Sequence, residues 1–94
     1  MTIYKIVLDG EIILPENERT ELRLPAGFIT TRFFDTETLE TAIEKAKASV
    51  LAELEETMGR LKKTDVRLVV ESCYVYDTWP DIAPNKGFSF YLER

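Results

Sequence analysis

Between Thr38 and Gly59 the apolar residues Leu39, Ala42, Ile43, Ala46, Val50, Leu54 and Met58 recur at spacings of three and four. Glu40, Glu44, Lys45, Lys47, Glu53, Glu55 and Glu56 fill the positions between them. That is a helix with one apolar stripe and a solvated back. Thr38 is the N-cap candidate, since its hydroxyl can accept a bond from an otherwise unpaired first-turn amide. Acids lie near this end and the bases Arg60, Lys62 and Lys63 beyond the other, as the helix dipole favours. Gly59 is placed to end the helix in the left-handed conformation. A helix of this length reaches about 30 Å, and whatever surrounds it must pack on its single stripe.

What surrounds it reads as strand and turn. Ile3 to Leu8 is rich in β-branched and aromatic residues, and Asp9-Gly10 separates it from a second apolar run, Glu11 to Leu14. The pair fits a two-residue hairpin turn or a glycine bulge within one long bent strand, and the residues alone do not separate these. Pro15 to Gly27 is polar and bracketed by prolines. It reads as a surface loop with a short extended piece at Leu22-Arg23-Leu24. Phe28 to Phe34 is the next strand. Val66 to Asp77 is a long one, with Val66, Leu68 and Val70 on one face and Arg67, Val69, Glu71, Cys73 and Val75 on the other. Phe88 to Glu93 is the last, after a proline-braced loop. The expectation is one α+β domain over residues 1–94. Its sheet is largely antiparallel, of four or five strands in the order ββαββ, with the long helix on one face.

One helix is about 10 Å wide, and four strands at about 4.8 Å spacing make a sheet nearly twice as wide. One sheet face is therefore left open. The residues assigned to it are Lys5, Val7, Thr30, Arg32, Phe34, Val69, Cys73, Val75, Ser89 and Tyr91, several of them large and apolar. This predicts a homodimer formed through the uncovered face or an edge strand.

Composition narrows the chemistry. There is no histidine, so neither a Ser-His-Asp nor a Cys-His nucleophile is available, and histidine metal sites are excluded. The four glycines are isolated turn punctuation and form no phosphate loop. Cys73 stands alone, so an intrachain disulfide cannot form, and a buried or half-buried inert mid-strand thiol is expected. No cofactor and no metal are expected. Seventeen acids against twelve bases give a net charge of −5, which repels nucleic acid and anionic membranes and favours a basic protein partner. The first nine residues lack a basic region followed by a long apolar run, and no stretch has the length of a membrane span, so a cytoplasmic protein is expected.

Two groups of residues are candidates for binding. Tyr74, Tyr76, Asp77, Trp79 and Asp81 gather aromatic and acidic groups at a strand end and on a braced loop. The competing structural role for Trp79 is to cap the open end of the core beside Phe88. Arg32 is a cation on a strand, suited to an anion or to pairing with Glu71 across the sheet. The run from Arg32 to Ala46 resembles the strand-turn-helix of many small α+β proteins, HicB-like antitoxins among them. The glycine- and proline-bearing segment of those antitoxins is missing here, so their function is not carried over. The expected function is non-catalytic protein–protein association, including neutralisation of a basic partner in the manner of an immunity protein or antitoxin. The alternative is a small-ligand binder or minor enzyme using Arg32 and the Tyr74–Asp81 end.

Overall fold

Four antiparallel strands form a single sheet in the order β3-β1-β2-β4, with one long helix across part of one face. A computed structural model describes residues 2–59, 61–81, 85 and 87–91. The strands are β1 (Ile3–Ile12), β2 (Gly27–Asp35), β3 (Val66–Tyr76) and β4 (Ser89–Tyr91), and the helices are α1 (Glu16–Leu22) and α2 (Leu39–Thr57). β1 is central and antiparallel to both β2 and β3. Hence β2 and β3 run parallel, one strand apart, and α2 is the connection between them. The expected α+β class and the ββαββ order are both present, with the short α1 added.

The stripe on α2 is buried as its spacing requires: Ala42, Ala46, Val50 and Leu54 pack on Ile6, Leu8 and Phe28. The Thr38 hydroxyl accepts from the Thr41 amide and caps the helix. The other end differs from expectation. Met58 is the C-cap, at φ −133°, and Gly59 is not in the left-handed region; Leu61 N–H closes a turn on the Met58 carbonyl instead.

Asp9-Gly10 is neither a hairpin turn nor a bulge. β1 runs unbroken through it, with Gly10 opposite Phe28 on one side and Leu68 on the other. Glycine is there because the Phe28 ring lies across it, where any β-carbon would stand. The sheet's irregularity sits instead in β3, where Val7 pairs with Ser72 but Leu8 pairs with Val70, leaving Glu71 as the extra residue.

That bulge reassigns faces. Directly opposed residues share a face, so Cys73 opposite Ile6 and Val75 opposite Tyr4 lie on the helix side with Val66, Leu68 and Val70. In β2, Phe28, Thr30, Arg32 and Phe34 stand opposite Gly10, Leu8, Ile6 and Tyr4 and are also on the helix side. Of the residues expected on the open face, Lys5, Val7, Val69, Ser89 and Tyr91 are there, while Thr30, Arg32, Phe34, Cys73 and Val75 are not.

The segment Pro15–Gly27 is not an irregular loop. It holds α1, and Leu22-Arg23-Leu24 is the end of that helix rather than an extended piece. Arg23 is its left-handed C-cap at φ 57°. Leu24 is buried with Ile12 and Leu61 in a second small core beside Leu22, Met58 and Val66. Apolar contacts therefore tie the segment down where its polar composition suggested free solvent.

Candidate interaction surface

Among the described residues, the most elaborate polar cluster is built on Arg32, and it closes one edge of the sheet. Arg32 is fully buried. Its Nη2 pairs with Glu53 Oε2 of α2 at 2.7 Å, and its Nη1 donates to the Asn85 carbonyl. The guanidinium lies 5.4 Å from the centre of the Phe88 ring, within cation–π range. Glu53 uses its other oxygen to accept from Gly87 N–H at 2.6 Å, and Thr30 Oγ1 donates to the Gly87 carbonyl at 2.7 Å. Arg32 therefore does not meet Glu71 across the open face: the register of β2 turns it inward onto α2, where Glu53 is within reach.

Asn85 completes the closure. Its side-chain oxygen accepts from Phe33 N–H at 2.6 Å, and its amide donates to the Phe33 carbonyl at 2.8 Å. One primary amide thus reproduces the two bonds that a neighbouring strand would make to β2. Beyond it, among the described residues, β4 pairs with Gly27, Phe28 and Ile29 alone. This side of the sheet ends in a short strand and a side-chain surrogate, two recognised ways of blunting an edge.

The opposite edge is different. β3 is eleven residues long and, among the described residues, pairs with β1 alone. Because Phe33 turns its N–H and C=O away from β1, strand alternation turns Lys5, Val7, Asp9 and Glu11 toward β3. The Ile13 amide, which donates to the Asp65 carbonyl, continues that series. Their partners Arg67, Val69, Ser72 and Tyr74 point back, so Val66, Leu68 and Val70 present N–H and C=O groups outward. Val69 and Val75 on this strand are about half and two-thirds exposed, at 49% and 62%.

On the helix side the same strand forms a step. α2 rests on β1 and β2 and leaves β3 beside it as a shelf, carrying Leu68, Val70, Cys73 and Val75. At the end of the step nearest the helix C-terminus, Leu51, Leu54, Leu61 and Val66 line a cleft of about 330 Å³, with Glu55 and Lys62 at its rim. Cys73 is exposed on the shelf rather than buried.

On the open face, Tyr91 Oη donates to Asp9 Oδ1 at 2.8 Å over Gly27, whose missing side chain makes room for the phenol. Burial raises the Tyr91 pKa above its usual value, and the charges of Glu11 and Glu71 add to the shift. The folded chain thus holds this proton to higher pH than the unfolded chain does. Its contribution is constant below pH 10, and stability falls as pH rises beyond the unfolded value. Spectrophotometric titration of Tyr91→Phe against wild type should give a difference curve centred above pH 10. A difference curve centred at or below pH 10 would contradict this.

The residues expected to converge on a ligand do not. Tyr74 is half exposed on the open face, with Lys5 Nζ 5.2 Å from its ring centre. Tyr76 packs against Phe33 at 6.2 Å, next to the fully buried Ile3. Trp79 is 46% exposed and is not among the residues packed on the core, whereas Phe88 meets Phe28 edge to face at 5.0 Å. Asp77 and Asp81 are exposed. Arg32 lies under α2, on the other side of the sheet from Tyr74 and Tyr76. Ile82, Ala83, Pro84 and Lys86 of the braced loop, and Leu92 and Glu93 of the expected last strand, lie outside the described residues. Among the described residues, no group of three or more acids and cysteines is placed to hold a metal ion. No described helix is long and apolar enough to cross a membrane.

The edge asymmetry was missed from sequence because it depends on strand order. Its signal, had the order been known, is the length of β3 beside the three residues of β4. A scan against models of known protein families, and comparisons with curated proteins and with solved structures, return no match.

Proposed function

We propose that this chain is a non-catalytic protein that works by protein–protein association along β3. The observation that carries the reading is the contrast between the two edges. One is closed by Asn85, the Arg32–Glu53 cluster and a short β4, while the other presents outward amides and carbonyls beside exposed valines. Unpaired edges invite pairing, and proteins that do not use them blunt them. A step of half-exposed apolar side chains next to that edge offers a pairing strand both backbone partners and apolar contact.

Amide exchange measured by NMR over a concentration series tests this. The Leu68 and Val70 amides should exchange more slowly as concentration rises, while inward amides such as Val69 stay unchanged. Concentration-independent exchange at Leu68 and Val70, with a monomeric sedimentation profile throughout and no protection of either amide on addition of a basic protein, would overturn the reading. A second reading rests on the net charge of −5: the edge takes a strand from a basic protein, which this chain neutralises. Addition of such a partner would then protect the same two amides at concentrations where the chain alone leaves them open.

A further inference from the structure

We infer that β3 pairs antiparallel with β3 of a second copy about a two-fold axis at Val69, joining two four-stranded sheets into one of eight strands. The inference rests on the association reading above and specifies its partner and register.

The register follows from side chains and backbone together. A two-fold axis through residue c places residue i opposite residue 2c − i of the partner. With the axis at Val69, Arg67 faces Glu71 of the other copy twice over, Leu68 faces Val70, and Val69 faces itself. An axis at Arg67 or at Glu71 would set like charges against each other, which disfavours pairing. Axes at Leu68 or Val70 leave Arg67 opposite Val69 or Cys73 and form no ion pair. Only the axis at Val69 satisfies both charges. Arg67 already bonds Glu11 at 2.7 Å with its side chain 62% exposed, so it is held extended on the open face and is accessible from the edge.

The backbone agrees. Leu68 and Val70 point their N–H and C=O groups outward, so these two residues exchange hydrogen bonds across the axis. Val69 points inward and forms the close, non-hydrogen-bonded pair at the centre. The bulge at Glu71 ends the regular ladder just at the Arg67–Glu71 pair, which confines pairing to residues 67–71, about 17 Å of strand. Because the far edge of each sheet is closed by Asn85 and β4, the assembly stops at two copies. An open far edge would let it continue as a filament. The shelf of Leu68 and Val70 then meets its symmetry mate on the helix side, and the exposed Val69 is covered on the other.

Sedimentation and cysteine trapping test the register on the whole chain. The wild type should sediment as a dimer. Arg67→Glu or Glu71→Arg alone places two like-charge contacts across the axis and should weaken the dimer about thirtyfold, and the double reversal should restore it. In a Cys73→Ser background, Val69→Cys should form a covalent dimer under mild oxidation. Arg67→Cys should link to Glu71→Cys in a mixture but not to itself. A monomeric wild type overturns this proposal and removes self-association from the broader reading. A dimer indifferent to the charge reversals, and linking best at another position, overturns the register and leaves association standing. Circular dichroism of each variant distinguishes loss of pairing from loss of fold.

Discussion

Replacing Arg32 with methionine is expected to lower the unfolding free energy by about 3 kcal/mol, read as a fall of roughly 12–20 °C in Tm. The reason is what the substitution leaves behind. Glu53 would lose its cation with its side chain only 21% exposed, left with the Gly87 N–H. Removing one member of a buried pair costs far more than removing both. Arg32→Met combined with Glu53→Leu should therefore recover much of the loss, in a double-mutant cycle followed by urea unfolding. Arg32→Lys should not recover it. An ammonium cannot reach Glu53 and the carbonyls of Asn85 and Gly87 together with the planar fork that Arg32 uses. An equal cost for single and double variants would show that the ion pair is not what the cluster depends on.

Gly10→Ala should cost about as much, about 3 kcal/mol, although it adds a single methyl group. In a regular strand such a change would be expected to help, since glycine weakens strand interiors. Here the new β-carbon would occupy the place of the Phe28 ring edge, and Phe28 is fully buried at the centre of the main core. The ring must swing out and leave its edge-to-face contacts with Phe88 and Phe90, at 5.0 and 6.1 Å. The loss thus resembles truncation of a buried phenylalanine. Phe28→Ala should accordingly cost much less in the Gly10→Ala background than in wild type, by about 1–3 kcal/mol of coupling. Additive losses in urea unfolding would mean that the ring accommodates the methyl group by a small shift.

Both predictions concern residues whose local sequence pointed elsewhere. Asp9-Gly10 carries a turn signature, and a turn is the right reading of two such residues between apolar runs when nothing lies above them. Arg32 alternates with Thr31 and Phe33, and nothing in that run says which face is covered. Strand periodicity divides residues into two sets but does not name the set that meets the helix. In β2 the decision fell to Phe28, which must bury a large ring and found room only over Gly10. Once Phe28 faces α2, Thr30, Arg32 and Phe34 follow it.

The candidate binding residues show the same limit. Tyr74, Tyr76, Asp77, Trp79 and Asp81 are neighbours in sequence, and the structure does place them at one end of β3. Arg32 was offered beside them as a second binding candidate, and the register sets it on the helix side of the sheet, away from Tyr74 and Tyr76. The free edge was legible only as a general expectation of pairing through a face or a strand.

The long helix from Leu39 to Thr57, its cap at Thr38, the four strands and their class were determined by the sequence itself. Each rests on periodicity or on capping chemistry within a few residues. Strand order, the face on which Arg32 lies, the bulge at Glu71 and the contrast between the two sheet edges were decided only by tertiary structure. Those depend on which distant residues come to stand opposite one another. A residue's neighbours along the chain carry little information about that, because a one-residue shift of register exchanges every inside for an outside.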